Sequence, residues 1–518
     1  MKKIEALFKS VYNKCKYFNY QDAPTYVDDI YTRAVKSLAL GTFENSFYAT
    51  GKELSEEAIN TFYKLRDRDP EFLAKAIVHA RNNCLIRLVP IIALVVLSTG
   101  NDKSKEYTKK IFNKVIKTPG DLQDFMSIIK NSEMRSCGRM IKSLINQWLE
   151  NISEIHAIKY GSNKQNFSLR DIYRITRPKL TGRANEIARY IVKNELSENT
   201  ELEQIKGYEE FKRTRNPELI LKYNLPFEVV TSQVATDNGW KAIYKAEKLP
   251  FMFMMRNLNN AYKYNCFNDL EILQRVCNTL TDPLRVKTSK QFPYRFYTAI
   301  KNLKFFNRRI NHSLSEALEL SVTNFPEIKG KTFVALDFSS SMTSLKISKY
   351  SDMKPSEISN LFGAAIFKKS QSAQISGFNE NFIEINNLSR KDTILNIFNY
   401  LNKNTRGGGT SLSEPIKYLL QNRLYVENLI IITDSISWYD HFNYKCGCMD
   451  FLRQYKNELN PNIKTIVLNI IPYKFNAFTN REPNLFFVSG WSEIVLNYIS
   501  SICNGFEDQI QSIKDIEL

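Results

Sequence analysis

Five side chains of this sequence can bring oxygen atoms around one point. Asp337-Phe338-Ser339-Ser340-Ser341 reads D-x-S-x-S, so in a loop leaving a strand residues 337, 339 and 341 turn their oxygens to one side. Asp434 ends the apolar run IITD, and Thr410 follows Gly407, Gly408 and Gly409, which permit close backbone approach. Two carboxylates and three hydroxyls suit one hard cation. Mg2+ takes oxygen ligands in near-octahedral geometry and keeps some of its waters. With only two acidic residues, the ion retains positive character and accepts an outside carboxylate or phosphate. The competing readings are ordinary turn and capping roles for the hydroxyls, or an ion held for structure alone.

A second kind of chemistry is carried by arginine and lysine. Arg170, Arg174 and Arg177 are spaced i, i+4, i+7, which on a helix places them on one face, and Lys179 follows. Such a row tracks phosphates, and arginine adds two-pronged contacts. Arg135, Arg139 and Lys142 form another set. For each set the alternative is a solvated helix face. Arg213 and Arg215 have Glu209 and Glu210 nearby as partners.

The charge distribution bears on that choice. The 518 residues carry a formal charge of +18. Residues 331–518 hold 19 Lys and Arg against 18 Asp and Glu, so 53 of the 72 basic and 36 of the 54 acidic residues lie in 1–330. A folded region with that bias attracts a polyanion, most often nucleic acid. Catalysis is not expected. The four histidines, His79, His156, His312 and His441, form no ligand cluster in sequence, and no general base stands beside the oxygen set. Of the eight cysteines only Cys446 and Cys448 are close-spaced, which suits reduced cytosolic thiols rather than a zinc site.

The elements that hold these residues change character along the chain. From about 20 to 320 the pattern is helix after helix. Asp69-Pro70 opens one with the stripe Phe72, Leu73, Ala76, Ile77, Ala80; Thr118-Pro119 precedes Leu122, Phe125, Met126, Ile129; Leu270, Leu273, Val276, Cys277 and Leu280 repeat the spacing before Asp282-Pro283. Stacked helical pairs, an α-solenoid, are expected. The run Leu85–Leu97 contains Arg87 and Pro90 and is too short to cross a bilayer, so it predicts a buried helix. MKKIEALFKSVYNK lacks the apolar core of a signal peptide, and a soluble cytoplasmic protein without membrane contact is expected. From Lys331 short β-branched runs (332–337, 373–378, 428–434, 463–470, 485–488) alternate with helical stretches (355–370, 391–401, 412–421, 447–459, 491–502). That alternation predicts a doubly wound, mostly parallel sheet with its ligand site at the carboxyl ends of strands.

The set Asp337, Ser339, Ser341, Thr410 and Asp434 resembles the metal-ion-dependent adhesion site of von Willebrand A domains, with all five positions present. LGTFENSFYAT (40–50), RSCGRMIKSLINQWL (135–149), FSLRDIYRITRPK (167–179), RTRNPELILKYNLPFEVV (213–230) and LPFMFMMRNLNN (249–260) resemble, in order, the TROVE module of the Ro ribonucleoprotein family. The resemblance implies an α + α/β protein: a ring-shaped α-solenoid of HEAT-like repeats, helical-repeat module 1–330, closed by a von Willebrand A-type domain, 331–518. It implies binding of small structured non-coding RNA on an outer basic surface. It also implies entry of single-stranded 3′ ends of misfolded RNA into a central hole, beside an exoribonuclease, in RNA quality control or processing. A ring can close within one chain, so a monomer is expected. Arg170 and Arg174 fall where the family has RNA-contacting basic residues. The pattern departs at Arg177-Pro178, where a His and an apolar residue are usual. Two other readings stay open: an A domain whose ion grips an acidic partner protein, with the helices as scaffold, and a metal nuclease.

Overall fold

Helices begin where the capping chemistry of the sequence places them. In the computed structural model Asp69 accepts a hydrogen bond from the Phe72 amide at 3.0 Å, and Pro70 takes the first position of the helix Pro70–Asn82. Asp269 and Asp282 cap Leu270–Thr281 and Pro283–Thr288 in the same way. The structure describes residues 17–18, 24–27, 29–40, 51–131, 138–161, 167–247, 249–291, 293–323, 325–344, 346–347, 353–434, 447–470, 475–476, 482–489, 493–504 and 509–518.

The apolar stripes at 72–80 and 122–129 are buried as expected, and so are Leu273, Val276, Cys277 and Leu280. Leu270 is a correction. It stands at the first position of its helix, one residue past the cap, and is exposed. The run at 85–97 forms the helix Leu88–Ser98, with Ile91, Ala93, Leu94 and Leu97 buried. Among the described residues no helix is long and apolar enough to cross a membrane.

From residue 328 the chain builds one six-stranded sheet. Its strands are β1 (Ile328–Asp337), β2 (Ser370–Phe378), β3 (Phe382–Glu384), β4 (Asn428–Thr433), β5 (Lys464–Asn469) and β6 (Leu485–Ser489). They lie in the order β3-β2-β1-β4-β5-β6, all parallel except the edge strand β3. Helices Pro355–Lys369, Ile394–Asn404, Ser413–Gln421, Cys448–Glu458 and Glu493–Cys503 fall in the stretches expected for them. The strand β3 has no signal in the sequence, because three residues are too few to show alternation. A separate small antiparallel sheet pairs Tyr17–Phe18, Pro24–Val27 and Phe475–Asn476.

Contacts divide the chain into two compact units that cross the boundary expected at 331. One comprises Met1–Pro90, Phe292–Tyr294 and Val322–Leu518; the other comprises Ile91–Gln291 and Arg295–Ser321. In the first, the helix Ile30–Leu40 packs beside β6 and the helix Gln509–Lys514. Lys75 donates to the Lys514 carbonyl at 2.7 Å, and the buried His79 ring lies 5.8 Å from the Tyr498 ring. Burial brings the His79 imidazole down to about 4, so it is neutral at physiological pH.

In the second unit short helices pack in pairs, among them Leu169–Thr176 with Gly182–Lys193 and Glu154–Tyr160 with Glu203–Thr214. The buried Glu154 joins the latter pair. Its Oε2 accepts the amides of Gln204 (2.8 Å) and Ile205 (3.0 Å), capping a helix whose own N-cap, Leu202, has no acceptor side chain.

Candidate functional site

Parallel pairing puts the two aspartates of the oxygen set at the same end of neighbouring strands. Asp337 ends β1, Asp434 directly follows β4, and Leu336 pairs with Ile432 across these neighbours. Asp337 Oδ2 accepts the Thr433 hydroxyl at 2.6 Å, and Oδ1 accepts the Ser339 amide at 2.9 Å. The hydroxyls of Ser339 and Ser341 lie 3.0 Å apart.

The glycine turn before Thr410 is laced onto the same loop. The Gly407 amide donates to the Phe338 carbonyl, the Gly408 amide to the Ser340 hydroxyl and the Ser340 amide to the Gly408 carbonyl, each at 2.9 Å. Asn379, just past β2, donates through its side chain to the Gly407 carbonyl at 2.7 Å, and its own carbonyl accepts the Ser411 amide at 2.8 Å. Gly407 and Gly408 have φ of 79° and 105°. A Cβ at Gly408 would also stand 3.0 Å from the Asn379 amide nitrogen, so the turn requires glycine.

The strand order reverses direction between β1 and β4, which is where open α/β sheets place their ligand crevice. Asp337, Ser339, Ser341, Thr410 and Asp434 are all buried there. Burial pushes the Asp337 carboxyl up to about 6, against the hydrogen bonds from Ser339 and Thr433 that lower it. A carboxylate with too little solvent or positive charge around it is what a bound cation would stabilise, and the all-oxygen donor set fits a hard ion such as Mg2+. Among the described residues no three His, Cys, Asp or Glu side chains gather as metal ligands; this set has two carboxylates and three hydroxyls. Sequence reasoning missed Ser340, Asn379 and Thr433, which hold the loops together. Their signal was positional: each lies within two residues of a strand end or within the D-x-S-x-S motif itself.

The basic sets lie in the second unit. Arg170 and Arg174 stand on the helix Leu169–Thr176, begun by a capping box of Ser168 and Asp171. Both are exposed, as are Arg177, Lys179 and Arg139; Lys142 is half-buried. The helix Arg139–Glu150, which carries Arg139 and Lys142, packs beside Leu169–Thr176. Among the described residues none of these six side chains takes part in an ion pair. The Arg170 Nε donates to the Ile191 carbonyl at 3.2 Å, which fixes its guanidinium in place.

One geometric expectation is corrected. Arg177 does not continue the row of Arg170 and Arg174, because the helix stops at Thr176 and Arg177 is its left-handed cap, φ 47°. Pro178 offers no amide to extend the helix and disfavours the helical conformation in the residue before it. Arg135 lies outside the described residues, as do His441, Cys446 and the segment 41–50. Glu209 is taken by Lys212 at 2.6 Å and by the Tyr190 hydroxyl, leaving Arg213 and Arg215 with no ion pair among the described residues.

Comparison with known proteins places the whole chain in context. The Ro60 vWA domain model matches residues 331–503 and the TROVE domain model matches residues 228–352, together spanning more than half of the sequence. The TROVE match begins C-terminal to the basic sets at 139–179, which therefore rest on their own geometry. The RNA-binding protein RO60 of Deinococcus radiodurans is 21% identical over 505 residues, covering 92% of this chain and 92% of that protein. The crystal structure of the Deinococcus radiodurans RO (RSR) protein shares the fold, with a TM-score of 0.70 at 20% identity over 92% of this chain and 100% of that one. With a helical TROVE region leading into a Ro60-type von Willebrand A domain, the chain belongs to the Ro family.

Proposed function

We propose that this protein binds small structured RNA, and single-stranded 3′ ends of misfolded RNA, as a non-catalytic component of RNA quality control or processing beside an exoribonuclease. The observation that carries this reading is the pair of packed helices presenting Arg139, Lys142, Arg170 and Arg174, none of them in an ion pair among the described residues. Exposed basic side chains outside ion pairs are available to phosphates, and the charge excess of residues 1–330 draws a polyanion toward them. The relative of matching length is named an RNA-binding protein.

In the A domain, Asp337, Ser339, Ser341, Thr410 and Asp434 would hold one Mg2+. When bound, the ion supplies positive charge to a crevice that otherwise holds two carboxylates. Thr433 and the Ser339 amide orient Asp337, and the Gly407–Gly408 turn fixes the approach of Thr410.

An electrophoretic shift assay with the purified full chain tests the reading. A small stem-loop RNA with a free 3′ tail should shift at modest salt, and the same RNA without the tail should shift less. Absence of any shift at modest salt would overturn it. A second reading, an A domain gripping an acidic partner protein, is favoured only by the oxygen-rich site. It predicts that Asp337→Ala abolishes partner capture and leaves RNA binding intact.

A further inference from the structure

We propose that residues 259–264 and 301–309 form a stacking platform for the bases of single-stranded RNA, with Phe306 as its outermost ring. The proposal rests on the RNA-binding reading and deepens it by naming where unpaired bases are held.

Between Pro283 and Ser315 the sequence has eight basic residues and no Asp or Glu, interleaved with aromatic residues. Basic side chains alternating with rings are the composition of surfaces that grip single strands, cations tracking the backbone and rings taking the bases. The fold brings this segment against Leu258–Lys263, which also lacks acidic residues. The Lys304 amide donates to the Asn259 side-chain oxygen, and the Asn259 side-chain nitrogen donates to the Asn302 carbonyl, each at 2.9 Å. These bonds lock the two segments together.

On that base the rings of Tyr262 and Phe305 stack at 4.3 Å with planes 3° apart. Phe305 rests in turn on the buried Phe267, 5.7 Å away, so the platform is anchored in the core. Tyr262 is 53% exposed, and Phe306, at 81%, is the most exposed large hydrophobic side chain among the described residues. Lys263, Lys304, Arg308 and Arg309 are exposed beside them and take part in no ion pair among the described residues. Arg309 is tied by its guanidinium to the Gln274 side chain.

A flat apolar ring amid cations fits a partner that offers both negative charge and flat apolar faces. Single-stranded nucleic acid does so, whereas in a duplex the base faces are hidden in the stack. The surface also differs in kind from the two helices of Arg139, Arg170 and Arg174, which present cations and, at those positions, no ring.

Fluorescence anisotropy of a labelled unstructured oligouridine, titrated with the full chain, tests the proposal. Phe306→Ala should weaken binding about tenfold and Phe306→Trp should restore it. Because the ring is exposed, the melting temperature should not move. Lys304→Ala should lower the slope of log affinity against log salt by about 0.7. If wild type binds the oligonucleotide and both Phe306 variants bind it equally well, the platform is wrong and the RNA reading stands. If wild type binds neither oligouridine nor stem-loop RNA, the RNA reading fails and takes the platform with it. If Phe306→Ala weakens polyglutamate binding as much as oligouridine binding, the patch is a general anion surface and base stacking is overturned.

Discussion

Asp337 sits at a point of electrostatic tension. It is fully buried, its two oxygens each accept one hydrogen bond, and burial still raises its carboxyl to about 6. In a protein interior such a group either takes a proton or gains a positive partner. The donor set around it favours the second outcome through a hard cation. Millimolar Mg2+ should therefore raise the melting temperature of the wild-type chain, by about 2–3 kcal/mol of stability once the ion is at a hundredfold excess over its dissociation constant. Asp337→Ala should abolish the increment, as followed by calorimetry with and without chelator. An unchanged melting temperature in wild type would count against a bound ion. The strand ends that carry Asp337 and Asp434 were legible in the sequence, because β-branched runs announce them. Thr433, Ser340 and Asn379 were not, since their roles depend on which loops the sheet brings side by side.

At the scale of elements, the helical region is held by caps that reach across the chain. Glu154 accepts two amides at the start of Glu203–Thr214 and binds the exposed Arg183 at 3.0 Å. Glu154→Ala would leave the buried Ile205 amide and the half-buried Gln204 amide without that acceptor, at a cost of about 2 kcal/mol. Arg183→Ala should cost far less, because its end of the pair faces solvent. Chemical denaturation of the two variants distinguishes them, and equal losses would contradict the capping account. The local cap Asp69-Pro70 was readable because donor and acceptor lie within three residues, whereas Asp282-Pro283 reads as a break and proves to open the helix Pro283–Thr288. The Glu154 cap spans some fifty positions and leaves no local trace. Arg177 shows the opposite failure: periodicity extended the basic row past the helix end, and Pro178 was the stop signal against it. The alternation of strands and helices after 331 was legible to within a few residues, the short edge strand β3 excepted. The pairing of Ile30–Leu40 with β6 was not, because an apolar stripe shows that a helix is buried and says nothing of its neighbour.

At the scale of the molecule, charge is divided unequally. Residues 331–518 are close to neutral, and nearly the whole +18 belongs to residues before them. The second compact unit carries both the basic helices and the proposed aromatic platform. The central claim is that the exposed arginines of these two packed helices bind RNA phosphates. The most direct test is the salt dependence of stem-loop RNA affinity, measured for wild type and for the double variant Arg139→Ala, Arg174→Ala. The account predicts a steep linear fall of log affinity with log salt in wild type, and a slope smaller by about 1.8 in the variant, at an unchanged melting temperature. An identical slope and affinity in the two proteins would contradict it.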